Sequence, residues 1–217
     1  MRHCARALAV VVVGTVVGLA AGPAVAKSTT PPVRSTADEL KPGLIKASEV
    51  ATISGLPKVR CYPLDREPLY EDPDPRGPCG AVTHPPPISE GATNVFVGSG
   101  VAVTNTVLRP GLEQARAFMA ENLADARPGC APYQSTTNEG RVQTVASLVV
   151  ALPALSDERL GTMATIQVAS QTSYVATVMV RRGDLIAAGV IFSASPVSKA
   201  TLRDLAHQVD RGLDRLQ

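Results

Sequence analysis

A proline-rich stretch from residue 57 to residue 92 limits what this chain can fold into more than any other feature. It holds half of the chain's 18 prolines. Proline lacks a backbone N–H group and fixes φ, so we predict neither a helix nor the interior of a sheet here. We expect a long loop instead, and a loop of this length needs either a function or a covalent staple.

The first 26 residues have the composition of an export signal. Two arginines precede an apolar run at 8–21, and small residues surround the bond between Ala26 and Lys27. This order is typical of a secretory signal peptide, so we predict cleavage at that bond and a secreted or extracytoplasmic location at the cell envelope. The alternative is an uncleaved membrane anchor, for which the apolar run is barely long enough.

The charge and the aromatic content bear on the partners of the protein. The whole chain has a net charge of +2, and the predicted signal carries two arginines and no acid, so the remainder is formally neutral. The chain has no Trp, three Phe and four Tyr. A nucleic-acid-binding protein is expected to show a basic excess and stacking aromatics, so we predict no nucleic-acid partner. We expect a membrane contact only if the signal segment is retained as an anchor.

The rest of the chain is predicted to form one domain. Residues 27–43 are polar and have little to bury, so they are expected to be a flexible lead. Residues 44–217 are long enough for a single core, within which 57–92 is the long loop.

Apolar periodicity predicts three amphipathic helices. The first covers 44–56 and ends at Gly55, and the second is stopped by Pro128. The third begins with Ser195 as the N-cap and Pro196 in the first helical position. The second helix is expected to bury Leu112, Ala115, Met119 and Leu123, and the third to bury Leu202, Leu205, Ala206, Val209, Leu213 and Leu216.

Segments rich in β-branched residues predict strands over 92–110, 141–152, 162–170 and 173–192. The first segment is expected to be one long strand, or two strands with a bulge at 98–100. The last is expected to turn as a hairpin at 182–184. Strands at hairpin spacing indicate an antiparallel sheet, so the predicted class is α+β, with the sheet packed against about three amphipathic helices.

Cys79 and His84 form a C-x4-H motif inside the proline-rich stretch. A zinc site takes three or four ligands, and the sequence has no C-x-x-C or H-x-x-x-H partner motif. We therefore predict no metal and no cofactor. Three cysteines follow the signal, at 61, 79 and 130. In an oxidising compartment two of them should pair, and the residues alone leave all three pairings open.

Catalytic motifs are also missing. Ser99 lies in V-G-S-G-V, which differs from the G-x-S-x-G nucleophile elbow, and a triad could use only His84 or His207. His207 is expected at the surface of the last helix. We predict a protein without enzymatic activity. A small secreted serine hydrolase that uses Ser99, and a purely structural envelope protein, are the alternatives.

Several segments resemble parts of one known family. "CGA" at 79–81 with "VFVGSGVAV" at 95–103, "ARAFMAENLADARPGC" at 115–130 and "VMVRRGDLIAAGVIF" at 178–192 are similar to its G-S-G strand, its cysteine-closed helix and its last hairpin. The family is the extracellular sensor domain of actinobacterial transmembrane serine/threonine kinases of the kinase H type, which also occurs in stand-alone secreted proteins. The resemblance covers about 44–217.

The resemblance implies an antiparallel sheet with helices packed on it and one disulfide, between Cys79 and Cys130, which leaves Cys61 as a free thiol. A Cys61–Cys79 bond is the alternative. It also implies a sensor-like domain that binds an unidentified small ligand or an envelope protein. The sequence departs from the family's pattern: Tyr174 and Ala188 stand where a second cysteine pair is usual, and Cys61 is extra. The second helix also lacks the family's tryptophan, and the 217 residues include no kinase segment.

The export prediction can be checked by the intact mass of the protein recovered from the extracytoplasmic fraction and alkylated without reduction. We expect a chain that starts at Lys27 and carries one alkyl group, on Cys61. A chain that retains the first 26 residues would show that the segment is an anchor, and three alkyl groups would show that no disulfide forms.

Overall fold

The computed structural model of the chain describes residues 37–62, 91–126, 132–136 and 140–217. In these residues the strands are β1 (Val59–Tyr62), β2 (Gly91–Gly98), β3 (Val101–Leu108), β4 (Tyr133–Thr136), β5 (Val142–Val149), β6 (Glu158–Val168), β7 (Gln171–Arg182) and β8 (Leu185–Ser193). They form one antiparallel sheet in the order β1-β2-β3-β8-β7-β6-β5-β4. Two meanders, β1 to β3 and β4 to β8, therefore join where β3 pairs with β8.

The hairpin turns follow from glycines in the left-handed region. Gly183 has φ +58° between β7 and β8, which confirms the hairpin predicted at 182–184. Gly100 has φ +69° between β2 and β3. The segment 92–110 is thus two strands joined by the tight turn Ser99–Gly100, so the prediction of one long strand is wrong. The alternative of two strands is right about the break at 98–100, but the break is a hairpin turn and not a bulge. Glycine adopts this φ without the steric cost that a side chain would bring.

The helices of the described residues are unequal in length. They are α1 (Ala37–Leu40), α2 (Ala47–Val50), α3 (Leu112–Asp125) and α4 (Lys199–Asp214), and a 3-10 turn at Lys41–Gly43 follows α1. The first two are single turns. The domain begins before the predicted boundary at 44, because Leu40 and Gly43 are buried.

The predicted packing of the sheet against about three amphipathic helices is wrong. An eight-stranded sheet dominates, and among the described residues only α3 and α4 exceed one turn. The expected helix over 44–56 is reduced to α2, because the backbone of Ile45 bonds to side chains of the sheet instead of to a helical neighbour. The described residues also contain no disulfide: Cys61 is free and exposed, and Cys79 and Cys130 lie outside the described ranges.

The helix α4 covers β7 and β8 on one face of the sheet. Its predicted buried stripe is confirmed from Leu202 to Leu213, and Leu216 is half-buried. A Cβ on Gly189 of β8 would lie 2.8 Å from Val209 Cγ2, so the glycine lets the helix approach the strand closely. The helix starts later than predicted: Ser198 is the N-cap, and its hydroxyl accepts a hydrogen bond from the Thr201 N–H group at 3.0 Å.

The helix α3 packs on the opposite face of the sheet. Ala115 and Met119 are buried as predicted, against Leu160, Met179 and Ile186. Leu112 and Leu123 are 43% and 41% exposed, so their predicted burial is wrong.

Phe118 and Asn122 of α3 are buried where the two leucines were expected. The Asn122 side chain donates to the Phe118 carbonyl at 2.8 Å, which satisfies one of its polar atoms within the helix. The orientation of α3 buries the Phe118 ring, and an aromatic side chain contributes a large apolar area to a core.

Two arginines fasten the C-terminal part of α4 to the rest of the domain. Arg182, at the end of β7, pairs with Asp210 at 3.0 Å and with Asp214. Arg215, which caps the C-terminus of the helix, donates to the carbonyls of Pro42 and Leu44 at 2.7 and 2.8 Å. Its guanidinium also pairs with the carboxylate of Glu49. The helix is therefore tied both to the β7–β8 hairpin and to the N-terminal turns.

The close contact between Gly212 and Gly43 gives a test of this packing. A Cβ on Gly212 would lie 2.2 Å from the Gly43 carbonyl oxygen. Helix propensity alone favours Gly212→Ala by about 1 kcal/mol. We expect a destabilisation of about 1–3 kcal/mol instead, because the methyl group pushes the two backbones apart. Urea unfolding measures the difference in the free energy of unfolding. The control is the exposed substitution His207→Ala, which should change this free energy by no more than about 0.5 kcal/mol. A stabilised Gly212→Ala protein would contradict the packing.

The buried Asn105 gives a second test. Asn105→Leu leaves the Ile45 N–H group and the Ala188 carbonyl without their partner, so we expect a loss of about 2–4 kcal/mol in the free energy of unfolding. Thr106→Val, on the other face of the same strand, removes one partly buried hydroxyl contact and should cost about 1 kcal/mol. Hydrogen exchange should also show the Ile45 amide deprotected in Asn105→Leu, and unchanged protection would refute the role.

Candidate functional site

A cleft of about 520 Å³ lies at the N-terminal end of α4. Three connections form its walls: the segment after α2, the β2–β3 turn and the link from β8 to α4. The lining residues are Gly55, Leu56, Pro57, Ser99, Gly100, Val101, Ser193, Ala194, Ser195, Pro196, Val197 and Thr201. Its volume falls within the range of small-molecule sites.

The β2–β3 turn and the link to α4 hold each other in place. The Ala194 N–H group donates to the Gly100 carbonyl at 2.9 Å, which extends the pairing of β3 with β8 past the end of the strands. The Ser195 N–H group donates to the Ser193 hydroxyl at 3.0 Å. These bonds bring the hydroxyl-bearing residues Ser99, Ser193 and Ser195 to one cleft.

The third wall is anchored to α4 through Ser54. The Ser54 N–H group donates to Asp204 at 3.0 Å. The next residue, Gly55, has φ +76°, and a Cβ there would lie 3.2 Å from the Thr201 hydroxyl oxygen. A glycine is therefore required both by the backbone conformation and by the close approach to α4.

The pKa of Asp204 is lowered by hydrogen bonds from Ser54, first from its side chain and then from its backbone, and further by the charge of His207. A depressed pKa means that the folded state favours the carboxylate, so this contribution to stability is present above the ordinary pKa. This stability contribution is lost only as the pH falls through the lowered pKa of Asp204. The wall therefore stays anchored at neutral and mildly acidic pH.

The chemistry of the cleft is neutral. None of its lining residues has a titratable side chain, and none is aromatic. Hydroxyl groups and backbone amides alternate with small apolar surfaces such as Pro196 and Val197. Such a lining can exchange hydrogen bonds with a polar molecule, but it has no charge with which to hold an ion.

The structure brings one sequence-predicted residue into the cleft. This residue is Ser99, which lies in the exposed β2–β3 turn and lines the cleft. His207 is exposed on α4, as predicted, and is not among the lining residues. Cys61 is exposed on the edge strand β1. The predicted sites at Cys79, Cys130, His84, Ala26 and Lys27 lie outside the described residues.

Sequence reasoning missed most of the cleft. Ser195 and Pro196 were expected to start the last helix, but they form the link that lines the cleft. The sequence "SASPVS" at 193–198 offers three serines as possible caps, and only the position of the helix on the sheet selects Ser198. Gly55 was predicted as a left-handed stop, which is confirmed.

The described residues form neither a metal site nor a membrane-spanning helix. No group of three or more His, Cys, Asp or Glu side chains in this part of the chain is close enough to hold a metal ion. No helix among the same residues is long and apolar enough to cross a membrane.

The fold belongs to a class in which a large antiparallel sheet carries a helix on each face. The crystal structure of the extracellular domain of PknH from Mycobacterium tuberculosis matches it with a TM-score of 0.58 and 16% sequence identity, over 85% of this chain and 98% of that chain. The resemblance to the extracellular domain of the kinase H type is therefore confirmed for the fold. No protein-family model and no curated protein matches the sequence.

Proposed function

We propose that the chain is an exported, non-enzymatic domain of the sensor type, which binds a small uncharged polar molecule in the cleft at the start of α4. The observation that carries the proposal is the lining of this cleft. It combines hydroxyl groups from two connections and from Thr201 of α4 with small apolar side chains, and it has no ionisable group. A neutral ligand with several hydroxyl or amide groups complements such a surface, because it loses no charge hydration on binding.

Two further observations support the location and the class. The apolar run at 8–21 is preceded by arginines and followed by small residues, as in an export signal. The fold is shared with an extracellular domain. Both observations agree with a domain that binds its ligand outside the cytoplasm. An envelope protein that carries the ligand could present it there.

The alternatives have less support. A serine hydrolase needs a general base within hydrogen-bond reach of its nucleophile. The residues that line the cleft place no histidine or carboxylate beside Ser99. A purely structural envelope protein needs no cleft. The convergence of three connections on one cleft has no purpose under that alternative.

A variant that fills the cleft tests the proposal. Ser195 is exposed and uses only its backbone N–H group in bonding, so Ser195→Trp should obstruct the cleft without disturbing the core. The probe is a panel of uncharged sugars, polyols and amides, and the readout is the midpoint of thermal unfolding. We expect at least one compound to raise the midpoint of the wild-type protein, since a ligand of the native state stabilises it. Ser195→Trp should not respond.

The matched control is Ser170→Trp, in the exposed turn between β6 and β7 and away from the cleft. This variant adds the same side chain and should respond like the wild-type protein. A compound that stabilises Ser195→Trp as much as Ser170→Trp would place its site elsewhere. A panel with no active compound would count against a neutral polar ligand.

A further inference from the structure

The outer face of α4 carries a row of basic residues at four-residue intervals. They are Lys199, Arg203, His207 and Arg211, and all four are exposed. We call this row the α4 basic stripe. Residues four apart in a helix lie on neighbouring turns, so the stripe runs for about 18 Å along the helix.

The acidic residues of α4 do not neutralise the stripe. Asp204 accepts the Ser54 N–H group, and Asp210 and Asp214 both pair with Arg182 at the side of the helix that faces the hairpin. The charge of His207 contributes to the lowered pKa of Asp204. Lys199, Arg203 and Arg211 form no ion pair with any residue of the described ranges.

Helix stability does not account for the stripe. The partial positive charge at a helix N-terminus disfavours nearby cations, and Lys199 is the first residue of α4. Arg211, in the last turn, is favoured by the same effect. The first turn of α4 contains no acidic residue that would suit its dipole. The helix dipole therefore offers no reason for the cation at the first position of the row.

We propose that the α4 basic stripe rests on the anionic lipid surface of a membrane. The exposed residues of α4 are Lys199, Ala200, Arg203, His207, Arg211 and Asp214. This face lacks the apolar or aromatic centre that a specific protein–protein interface has. The face also has no large apolar or aromatic side chain that could insert among the acyl chains of a lipid. A diffuse anionic surface is the partner that such a face fits, because each basic residue near it contributes independently of detailed shape.

The position of the N-terminus agrees with this partner. The turn Lys41–Gly43 packs on the C-terminal end of α4, with Gly43 against Gly212. Only residues 27–36 separate Ala37 from the predicted signal segment. Fully extended, they span at most about 35 Å. If the apolar run is retained, it holds α4 near the bilayer. If it is cleaved, the stripe supplies the contact alone, and the proposal then departs from the expectation that a membrane contact requires the retained segment.

Vesicle co-sedimentation tests the proposal with the protein recovered from the extracytoplasmic fraction. The vesicles are phosphatidylcholine alone, or phosphatidylcholine with phosphatidylglycerol. We expect binding to increase with phosphatidylglycerol and to fall as salt is raised, since the interaction is electrostatic. Reversing two charges in R203E/R211E should weaken binding to the anionic vesicles about tenfold or more. R203K/R211K should bind like the wild-type protein.

The matched control makes the same change of net charge elsewhere. Arg60 on β1 and Arg116 on α3 are both exposed, and α3 packs on the sheet face opposite α4. R60E/R116E should bind within about twofold of the wild-type protein, because these charges lie away from the stripe. The midpoint of thermal unfolding of each variant shows that the fold is retained.

Three results would overturn the proposal. R203E/R211E could bind anionic vesicles as well as R60E/R116E does, which would mean that only net charge matters. Wild-type binding could be unaffected by phosphatidylglycerol. Double-stranded DNA could displace the vesicles at equal phosphate concentration, which would assign the stripe to polyanions in general. None of these results depends on whether the cleft binds a ligand.

Discussion

Two asparagines on neighbouring strands hold the backbone of a single residue, and the layout of this domain depends on that contact. Asn105, 1% exposed, accepts the Ile45 N–H group at 2.8 Å and donates to the Ala188 carbonyl at 2.9 Å. Asn94, its partner across the β2–β3 hairpin, donates to the Ile45 carbonyl at 2.6 Å. A buried amide is costly unless it is bonded, so the N-terminal segment can cross the sheet at only one place.

Once the N-terminal segment is fixed, the position of α4 follows. Gly43 meets Gly212 at a distance that allows no side chain, and Arg215 returns to the carbonyls of the same segment. The other end of the segment bonds to Asp204 through Ser54. The candidate cleft lies just beyond the Ser54–Asp204 attachment, where Gly55, Leu56 and Pro57 form one of its walls. The α4 basic stripe is exposed because the opposite side of the helix is committed to the sheet.

Local patterns predicted the parts of the fold that depend on local rules. The turn at Gly183 and the apolar stripe of α4 are confirmed, since a left-handed glycine and a helical repeat are read within a few residues. The packing of α3 could not be read in this way: its apolar residues cover several angles, and contact with β6, β7 and β8 selects Phe118 over Leu112 and Leu123. The predicted helix over 44–56 was wrong for a similar reason, because hydrogen bonds from side chains of remote strands replace the helical hydrogen bonds at Ile45.

By itself the sequence determined the antiparallel strands and the closing helix, because periodicity acts over short distances, and from composition it predicted an export-type N-terminus. Only the tertiary structure decided which serine caps α4, which residues line the cleft, and that the basic residues of α4 face away while its acids are engaged. These outcomes depend on contacts between residues such as Ser54 and Asp204, which lie far apart in the chain, and no local pattern records such a pairing.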